Sequence, residues 1–254
     1  MSILEVSGIR KVYTGRFGGH KVEALRNVSF SVENGEYVAI MGESGSGKTT
    51  LLNILAALDK PTEGRVVLDG QELSKVKEGQ IAAFRRDNLG FVFQEFNLLD
   101  TFTIEDNIYL PLVLAGKPHK EMAERLKPIA AQLGISDLLK KYPYEVSGGQ
   151  KQRAAVARAI ITNPKLVLAD EPTGALDSKA TDELLRLFTR INEDGRTILM
   201  VTHSVKAASH ASRVLFIKDG EVFHQIYRGN STNEQLYQKI SDTLTMLATG
   251  GERA

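Results

Sequence analysis

The chain has 254 residues, of which 42% are hydrophobic and 25% are charged, as in ordinary globular proteins. This length suffices for one large domain or two small ones with a substantial core. The net charge of +1 gives no overall attraction to nucleic acid or anionic lipid, and the absence of cysteine excludes disulfides and thiol chemistry and fits a reducing compartment.

No segment of the sequence is expected to enter a membrane. The N-terminal residues lack the apolar stretch of a signal peptide. The longest apolar run, 108–115, is far too short to span a bilayer. We therefore expect a soluble chain, or one that sits on a membrane only through a partner protein.

Short apolar runs predict the strands of a parallel α/β sheet that is covered on both faces. They lie at 37–41, 89–93, 166–169 and 197–202. Helical patterns fall between them, at 49–58, 120–133, 150–161 and 179–192. Asp219-Gly220 separates two β-rich runs and predicts a hairpin, as does the smaller pattern at 64–73.

Two stretches depart from this alternation of strands and helices. Residues 95–146 show helical patterns and no clear strand, so we expect a helical insertion in the sheet domain. The tail after Gly229 has the pattern of a capped amphipathic helix, and we assign it no chemistry. Its apolar face is expected to carry Leu236, Ile240, Leu244 and Leu247.

The segment GESGSGKT matches the phosphate-binding pattern G-x-x-x-x-G-K-[ST] between a predicted strand and a predicted helix. Its glycines let the backbone wrap round phosphate oxygens, Lys48 is placed to reach the terminal phosphates, and the Thr49 hydroxyl can ligate Mg²⁺. The alternative is a glycine-rich turn with an exposed lysine, but the flanking elements favour nucleotide binding. The expected nucleotide contacts are Gly42, Glu43, Ser44, Gly45, Ser46, Gly47, Lys48, Thr49 and Thr50.

Other predicted strands also end in residues suited to phosphate chemistry. Asp170 can hold Mg²⁺ through water, and Glu171 is placed to polarise an attacking water. His203 and Gln94 each follow a further strand. Alone, the acids would be solvated groups and the histidine a structural one. Because the carboxyl ends of parallel strands share one edge of a sheet, we expect these side chains to converge on the phosphate loop.

A second pair of glycines precedes a predicted helix, in the segment EVSGGQKQR. Ser147 and Gln150 form a capping box, so the simplest interpretation is a well-capped helix. Gly148 and Gly149 are then unexplained, because glycine costs up to about 1 kcal/mol per helical position relative to alanine. We expect an anion to dock on their open N–H groups. Since the phosphate loop holds the chain's own nucleotide, this anion would come from another chain in a symmetric dimer.

In this order, GESGSGKT, Gln94, VSGGQ, LVLADE, GALD and His203 resemble the nucleotide-binding subunit of ABC transporters. The resemblance implies hydrolysis of ATP with Mg²⁺ in a homodimer that sandwiches two nucleotides, with VSGGQ facing the partner's γ-phosphate. Glu171 is then the general base and His203 contacts the γ-phosphate. The implied catalytic residues are Lys48, Glu171 and His203, and the implied metal site comprises Thr49, Gln94 and Asp170.

Three further positions take their interpretation from the resemblance. Tyr13, in the stretch KVYTGRFGG that we read as irregular, matches the position that stacks on adenine, although a plain surface tyrosine fits the residues nearly as well. The loop 174–177 matches the segment that crosses the dimer interface. Val146 departs from the family, in which leucine is commoner before the serine, but the exchange is apolar for apolar.

The resemblance covers about residues 3–228 and implies an α/β fold: a P-loop NTPase core with a parallel sheet, an N-terminal antiparallel β portion and an inserted helical subdomain. We expect the nucleotide-binding core at 3–94 and 162–228, the helical signature subdomain at 95–161, and a C-terminal helical extension at 229–254.

Two segments, 97–108 and 213–229, look most similar to the Bce-type bacitracin and antimicrobial-peptide resistance ATPases. This implies a separate membrane permease with a large extracellular domain, in some cases a sensor kinase reached through the permease, and a position on the cytoplasmic face of the cell membrane. Lipoprotein release, macrolide export and signalling without transport stay open as alternatives. DNA-repair relatives need a longer insertion and translation relatives need two ATPase units, and without a basic patch we expect no nucleic-acid partner.

An apolar cluster follows Gln94 and has two open interpretations. The first is that it belongs to the core of the helical subdomain. The second is a groove for a cytoplasmic helix of the permease, linked to the nucleotide through Gln94. The cluster consists of Phe96, Leu98, Leu99 and Phe102.

Overall fold

The computed structural model describes residues 2–14 and 21–248. Over these residues the strands are β1 (Ser2–Thr14), β2 (Lys21–Glu33), β3 (Tyr37–Gly42), β4 (Glu63–Leu68), β5 (Gln71–Glu72), β6 (Leu89–Val92), β7 (Leu166–Asp170), β8 (Ile198–Val201), β9 (Arg213–Lys218) and β10 (Glu221–Tyr227). The α-helices are α1 (Lys48–Leu55), α2 (Ile81–Asn88), α3 (Ile104–Leu114), α4 (His119–Gln132), α5 (Gly148–Ile160), α6 (Ser178–Glu193), α7 (Val205–Ala208) and α8 (Asn233–Ala248).

The larger sheet has the strand order β10-β9-β3-β8-β7-β6, in which β10 is antiparallel to β9 and the other strands are parallel. It contains the four strands predicted from apolar runs, and the carboxyl ends of β3, β6, β7 and β8 lie along one edge. The predicted hairpin joins β9 to β10, where Asp219 (φ 51°) and Gly220 (φ 77°) adopt the left-handed backbone of a type I′ turn.

Both faces of this sheet are buried, which explains its continuous apolar strands. Along β3, Val38 and Ile40 enter a core shared with the smaller sheet and α1, while Ala39 and Met41 enter a core shared with the helices from α3 to α8. The sheet is therefore fixed from both sides, and the loops at its edge start from a rigid support.

The smaller sheet is antiparallel, with the order β2-β1-β4-β5. Here the interpretation of the stretch around Tyr13 as irregular was wrong, because Tyr13 lies in β1 opposite Val22 of β2. The register of β1 against β2 shifts at four places, and these irregularities break the alternation by which a strand is recognised. The rest of that stretch, at 15–19, lies outside the described residues.

The region 95–146 contains helices α3 and α4 and no strand among its described residues, as predicted. The tail forms α8 as predicted: Leu236 and Ile240 are fully buried, and Leu244 and Leu247 pack against the same core. Positions 249–254 of the expected extension lie outside the described residues. No helix within 2–14 and 21–248 has the length and apolar character needed to cross a membrane.

Candidate functional site

The phosphate-loop segment runs from the end of β3 at Gly42 to the start of α1 at Lys48. Its glycines allow close packing: a Cβ on Gly42 would lie 2.3 Å from the Ile217 carbonyl oxygen, and one on Gly47 (φ 98°) would lie 2.5 Å from that of Ala24. No side chain caps the start of α1. Its first N–H groups are therefore available to an anion, as phosphate-binding loops require.

Lys48 is held at the mouth of this loop. Its Nζ donates hydrogen bonds to the carbonyl oxygens of Gly42 (2.8 Å) and Glu43 (2.7 Å). Burial lowers the pKa of the Lys48 ammonium, while the carboxylates of Glu171 and Asp170 raise it. The ammonium is thus close enough to both acids to interact with them electrostatically.

Asp170 and Glu171 follow one another where β7 ends. Burial and the adjacent Glu171 raise the pKa of the Asp170 carboxyl, and Lys48 opposes this shift. Two neighbouring acids beside one ammonium form a site that gains from a further cation. The residues predicted to meet at this edge of the sheet thus form a cluster of two carboxyl groups and one ammonium.

Glu171 is oriented by the end of β8. Its Oε1 lies 2.8 Å from His203 Nδ1, and its Oε2 accepts a hydrogen bond from the His203 backbone N–H at 3.2 Å. The backbone of Glu171 is left-handed (φ 44°), which is uncommon for a residue other than glycine and concentrates at functional sites. The carboxylate therefore has one defined direction along the edge of the sheet.

These groups line one cleft with a volume of about 420 Å³. The predicted residues along it are Gly42, Ser44, Gly45, Gly47, Lys48, Thr49, Thr50, Asp170, Glu171 and His203. Glu43 and Ser46 do not line it: Glu43 contributes its carbonyl oxygen to Lys48, and Ser46 is buried. Sequence reasoning missed Val22, Glu23 and Ala24 of β2, because nothing in their residue types indicates a ligand.

Tyr13 and Gln94 are not among the residues that line this cleft. Tyr13 is 42% exposed and is paired with Val22, which does line it. Gln94 is exposed and packs closely on Gly174, where an added Cβ would lie 2.9 Å from Gln94 Nε2. Both side chains are near neighbours of cleft-lining segments rather than walls of the cleft.

The capping box at the start of α5 is confirmed. The Ser147 hydroxyl accepts a hydrogen bond from the Gln150 backbone N–H (3.3 Å), and Gln150 Oε1 accepts one from the Ser147 N–H (2.8 Å). Gly149 also has a packing reason to be glycine, because a Cβ there would lie 2.9 Å from the Ala180 Cβ. Gly148 has no such neighbour, since the nearest atom to an added Cβ lies at 3.7 Å. These four residues do not line the cleft of their own chain.

Helix α5 is bonded to the ends of two strands. The buried Gln152 Nε2 donates to the carbonyl oxygens of Phe93 (3.1 Å), after β6, and Pro172 (2.6 Å), after β7. Farther along, the Arg158 guanidinium donates to the carbonyl oxygens of Phe96 and Asn97. The helix thus holds both the segment that follows Glu171 and the loop that follows Gln94.

In the apolar cluster after Gln94, some side chains are part of the helical core and others are exposed. Leu98 packs against the helical core, whereas Leu99 and Phe102 are 47% and 39% exposed. A larger apolar groove of about 500 Å³ lies beside them and shares none of the four residues. Its walls include Leu58, Phe91, Phe93, Leu110, Leu114 and Arg158.

Residues 25–174 match the family described as "ABC transporter". The chain is 52% identical over 247 residues to "ABC transporter ATP-binding protein YxdL" of Bacillus subtilis (strain 168), covering 97% of this chain and 95% of the relative. It is 48% identical over 248 residues to "Bacitracin export ATP-binding protein BceA" of Halalkalibacterium halodurans, covering 97% of each. A dimeric, post-hydrolysis structure of "the ATP-binding cassette MJ0796 bound to ADP and Pi" superposes with a TM-score of 0.79 at 38% identity, covering 88% of this chain and 98% of that one.

Proposed function

The chain belongs to the family of ABC transporter ATP-binding proteins, an ATPase family, and we propose that it powers a permease for resistance to bacitracin-like antimicrobial peptides. One observation supports the substrate class: the identity of 48% to a bacitracin export ATP-binding protein extends over 97% of both chains. A match of that length includes most of α8, beyond the ATPase core that we place at 3–94 and 162–228 around a helical subdomain at 95–161.

We assign nucleotide binding to the phosphate loop. The N–H groups at the start of α1 and the Lys48 ammonium hold the phosphates. Thr49, Asp170 and Gln94 supply hydroxyl, carboxylate and amide oxygens, the hard donors that Mg²⁺ prefers. When bound, Mg²⁺ neutralises charge on the phosphate oxygens. Asp170 and Glu171 both lie near the Lys48 ammonium, and a bound cation would balance their remaining negative charge.

We assign the chemical step to Glu171 and His203. The Glu171 carboxylate orients the attacking water and takes its proton. A neutral His203 that donates from Nδ1 to Glu171 has only an acceptor at Nε2. To donate to the γ-phosphate, His203 must therefore carry a second proton or leave Glu171, so the two residues act as a coupled pair.

We propose that a second copy of the chain completes each nucleotide-binding site. Ser147, Gly148, Gly149 and Gln150 lie outside their own cleft and present the start of α5, so they would face the partner's γ-phosphate. In an isologous dimer this arrangement creates two equivalent composite sites, with the loop 174–177 between them.

We further propose that a cytoplasmic helix of the permease docks in the 500 Å³ groove, which would hold the chain at the cytoplasmic face of the membrane. The groove offers exposed apolar side chains, among them Leu114 at 68% exposure, and apolar surface of this kind marks interaction sites. A permease with a large extracellular domain, and a sensor kinase bound through it, complete the proposed assembly. Lipoprotein release, macrolide export and signalling without transport are the alternative functions.

Purification from detergent-solubilised membranes of the native host, through a tag on this chain, tests the assignment. We expect a permease with a large extracellular domain in the purified complex, and cells carrying Glu171→Gln should become sensitive to bacitracin. Asp137→Asn, at an exposed position in the helical region, is the control that should leave resistance unchanged. A complex without a permease, or unchanged bacitracin resistance in the Glu171→Gln cells, would refute the proposal.

A further inference from the structure

The side chain of Tyr13 is fixed by two residues that the proposed mechanism does not use. Its hydroxyl donates a hydrogen bond to Asp59 Oδ2 at 2.8 Å. The Lys11 ammonium lies 4.8 Å from the centroid of the Tyr13 ring and donates to Asp59 Oδ1 at 2.6 Å. A cation at this distance is attracted to the face of the ring, so Lys11 covers one face of Tyr13.

Asp59 is itself held in one orientation. Its Oδ1 also accepts the Lys60 backbone N–H (2.7 Å), and its own N–H donates to the Asn53 carbonyl oxygen (3.1 Å) in α1. Burial favours the neutral carboxyl, but hydrogen bonds from Lys11, Tyr13 and Lys60 outweigh it and lower the pKa of Asp59. The carboxylate is therefore ionised at neutral pH and has fixed partners on both oxygens.

We propose that Asp59 is a positioning residue for nucleotide binding, which sets the place of the adenine-stacking Tyr13 ring relative to the phosphate loop. Helix α1 begins at the phosphate loop, spans about 12 Å and leads to Asp59. Lys48 begins this helix, and Asp59, four residues beyond its last residue, is bonded to Asn53 within it. A nucleotide that contacts both the phosphate loop and the Tyr13 ring therefore spans a distance that α1 and its bond to Asp59 define. The inference rests on the proposed ATP site and on the stacking role of Tyr13.

Without Asp59, the half-exposed Tyr13 side chain would have to be immobilised when the nucleotide binds. Fixing such a side chain lowers affinity, so the Kd for Mg-ATP should rise about three- to tenfold in Asp59→Ala. Inorganic tripolyphosphate contacts the phosphate loop alone, and its Kd should not change. Tyr13→Phe, which removes the hydroxyl and keeps the ring, should show the same selective loss.

Both ligands are measured on the full chain by displacement of a fluorescent ATP analogue, with Asp137→Ala as the control for loss of an exposed carboxylate. Thermal melting checks that the variants fold, and Tyr13→Phe, which leaves Asp59 in place, carries the test if the alanine variant does not. We expect the double variant Tyr13→Phe, Asp59→Ala to be no weaker than Asp59→Ala alone, because the Tyr13 hydroxyl has already lost its partner in that variant. Equal losses for ATP and tripolyphosphate, no loss at all, or additive losses would overturn the inference.

Lys48→Ala separates this inference from the proposed function. It should weaken binding of both ATP and tripolyphosphate, because both need the phosphate loop. If Lys48→Ala binds both ligands like the parent, the ATP site is misplaced and the role of Asp59 is overturned with it. If Lys48→Ala loses both ligands and Asp59→Ala loses neither, the ATP site stands and only the role of Asp59 is overturned.

Discussion

A carboxylate at the start of α5 should block closure of one composite nucleotide site in the dimer. Gly148 is the position to change, because an added Cβ meets its nearest neighbour at 3.7 Å, whereas one at Gly149 would lie 2.9 Å from the Ala180 Cβ. The Cβ that Gly148→Asp adds is therefore accommodated without a clash. At about 4 Å from a phosphate oxygen and an effective dielectric near 20, the repulsion is about 4 kcal/mol, or roughly a thousandfold in affinity.

The assay combines Gly148→Asp with Lys48→Ala, which damages the site that contains the same chain's phosphate loop. In a dimer of either variant both sites are damaged. In a mixed dimer both changes fall in one site and the other is intact, because the interface is isologous. We expect mixed dimers, isolated through two affinity tags in a Glu171→Gln background, to trap about one nucleotide each.

Gly148→Ala is the matched control, because it adds the same Cβ without charge, and its dimers should trap nucleotide in both sites. The reasoning is refuted if mixed dimers trap no more nucleotide than the two variants alone. Each chain would then form a complete site by itself, and Gly148 would be part of an ordinary helix cap.

Three further changes test other parts of the site. Glu171→Gln should keep ATP binding and slow hydrolysis by at least about a hundredfold, leaving an ATP-bound dimer visible by light scattering; parent-like turnover would exclude Glu171 as the base. Leu114→Asp should abolish co-purification of the permease while the free subunit melts normally, and Met246→Asp, on the exposed side of α8, should not; retention of the permease by Leu114→Asp would exclude the groove. Asp170→Asn should raise the Tm of the nucleotide-free chain, and each kcal/mol of stability gained corresponds to about 2–4 °C in a chain of this size. The same change should remove the extra stabilisation by Mg-ATP. Burial and Glu171 raise the pKa of Asp170, so its ionised form costs stability above its ordinary pKa, and an unchanged or lower Tm would contradict this.

The larger sheet was predictable because its strands are buried on both faces and therefore read as continuous apolar runs. The hairpin at Asp219-Gly220 was predictable because few residues other than glycine, asparagine and aspartate accept a left-handed backbone. Strands β1 and β2 could not be delimited in this way, since their shifts in register interrupt the alternation of polar and apolar residues. A bulged strand loses its sequence signal although its hydrogen bonding survives.

Chemistry-bearing residues were easier to place than the walls around them. Asp170, Glu171 and His203 stand at strand ends, and a parallel sheet brings such ends together whatever the loops do. The part of the cleft formed by β2 and the apolar groove each combine segments that are far apart in the chain. Their side chains are of types that indicate no ligand, so the sequence contains no signal for them. The packing reason for a glycine at position 149 was not predictable either, because the closeness of Ala180 depends on how α5 packs on α6, and no local pattern contains that information.

Helix α5 gives the proposed mechanism a physical link between its two ends. Its N-cap is Ser147, which would face the partner's nucleotide, and about 20 Å of rigid helix follow. Gln152 ties this helix to the catalytic edge, and Arg158 both holds the loop after Gln94 and lines the groove proposed for the permease. We therefore expect a displacement at one end of α5 to reach the other, because close-packed interiors transmit strain. If nucleotide closure shifts the groove, binding of the permease must shift nucleotide affinity by the same free energy, since coupling between two binding sites is reciprocal.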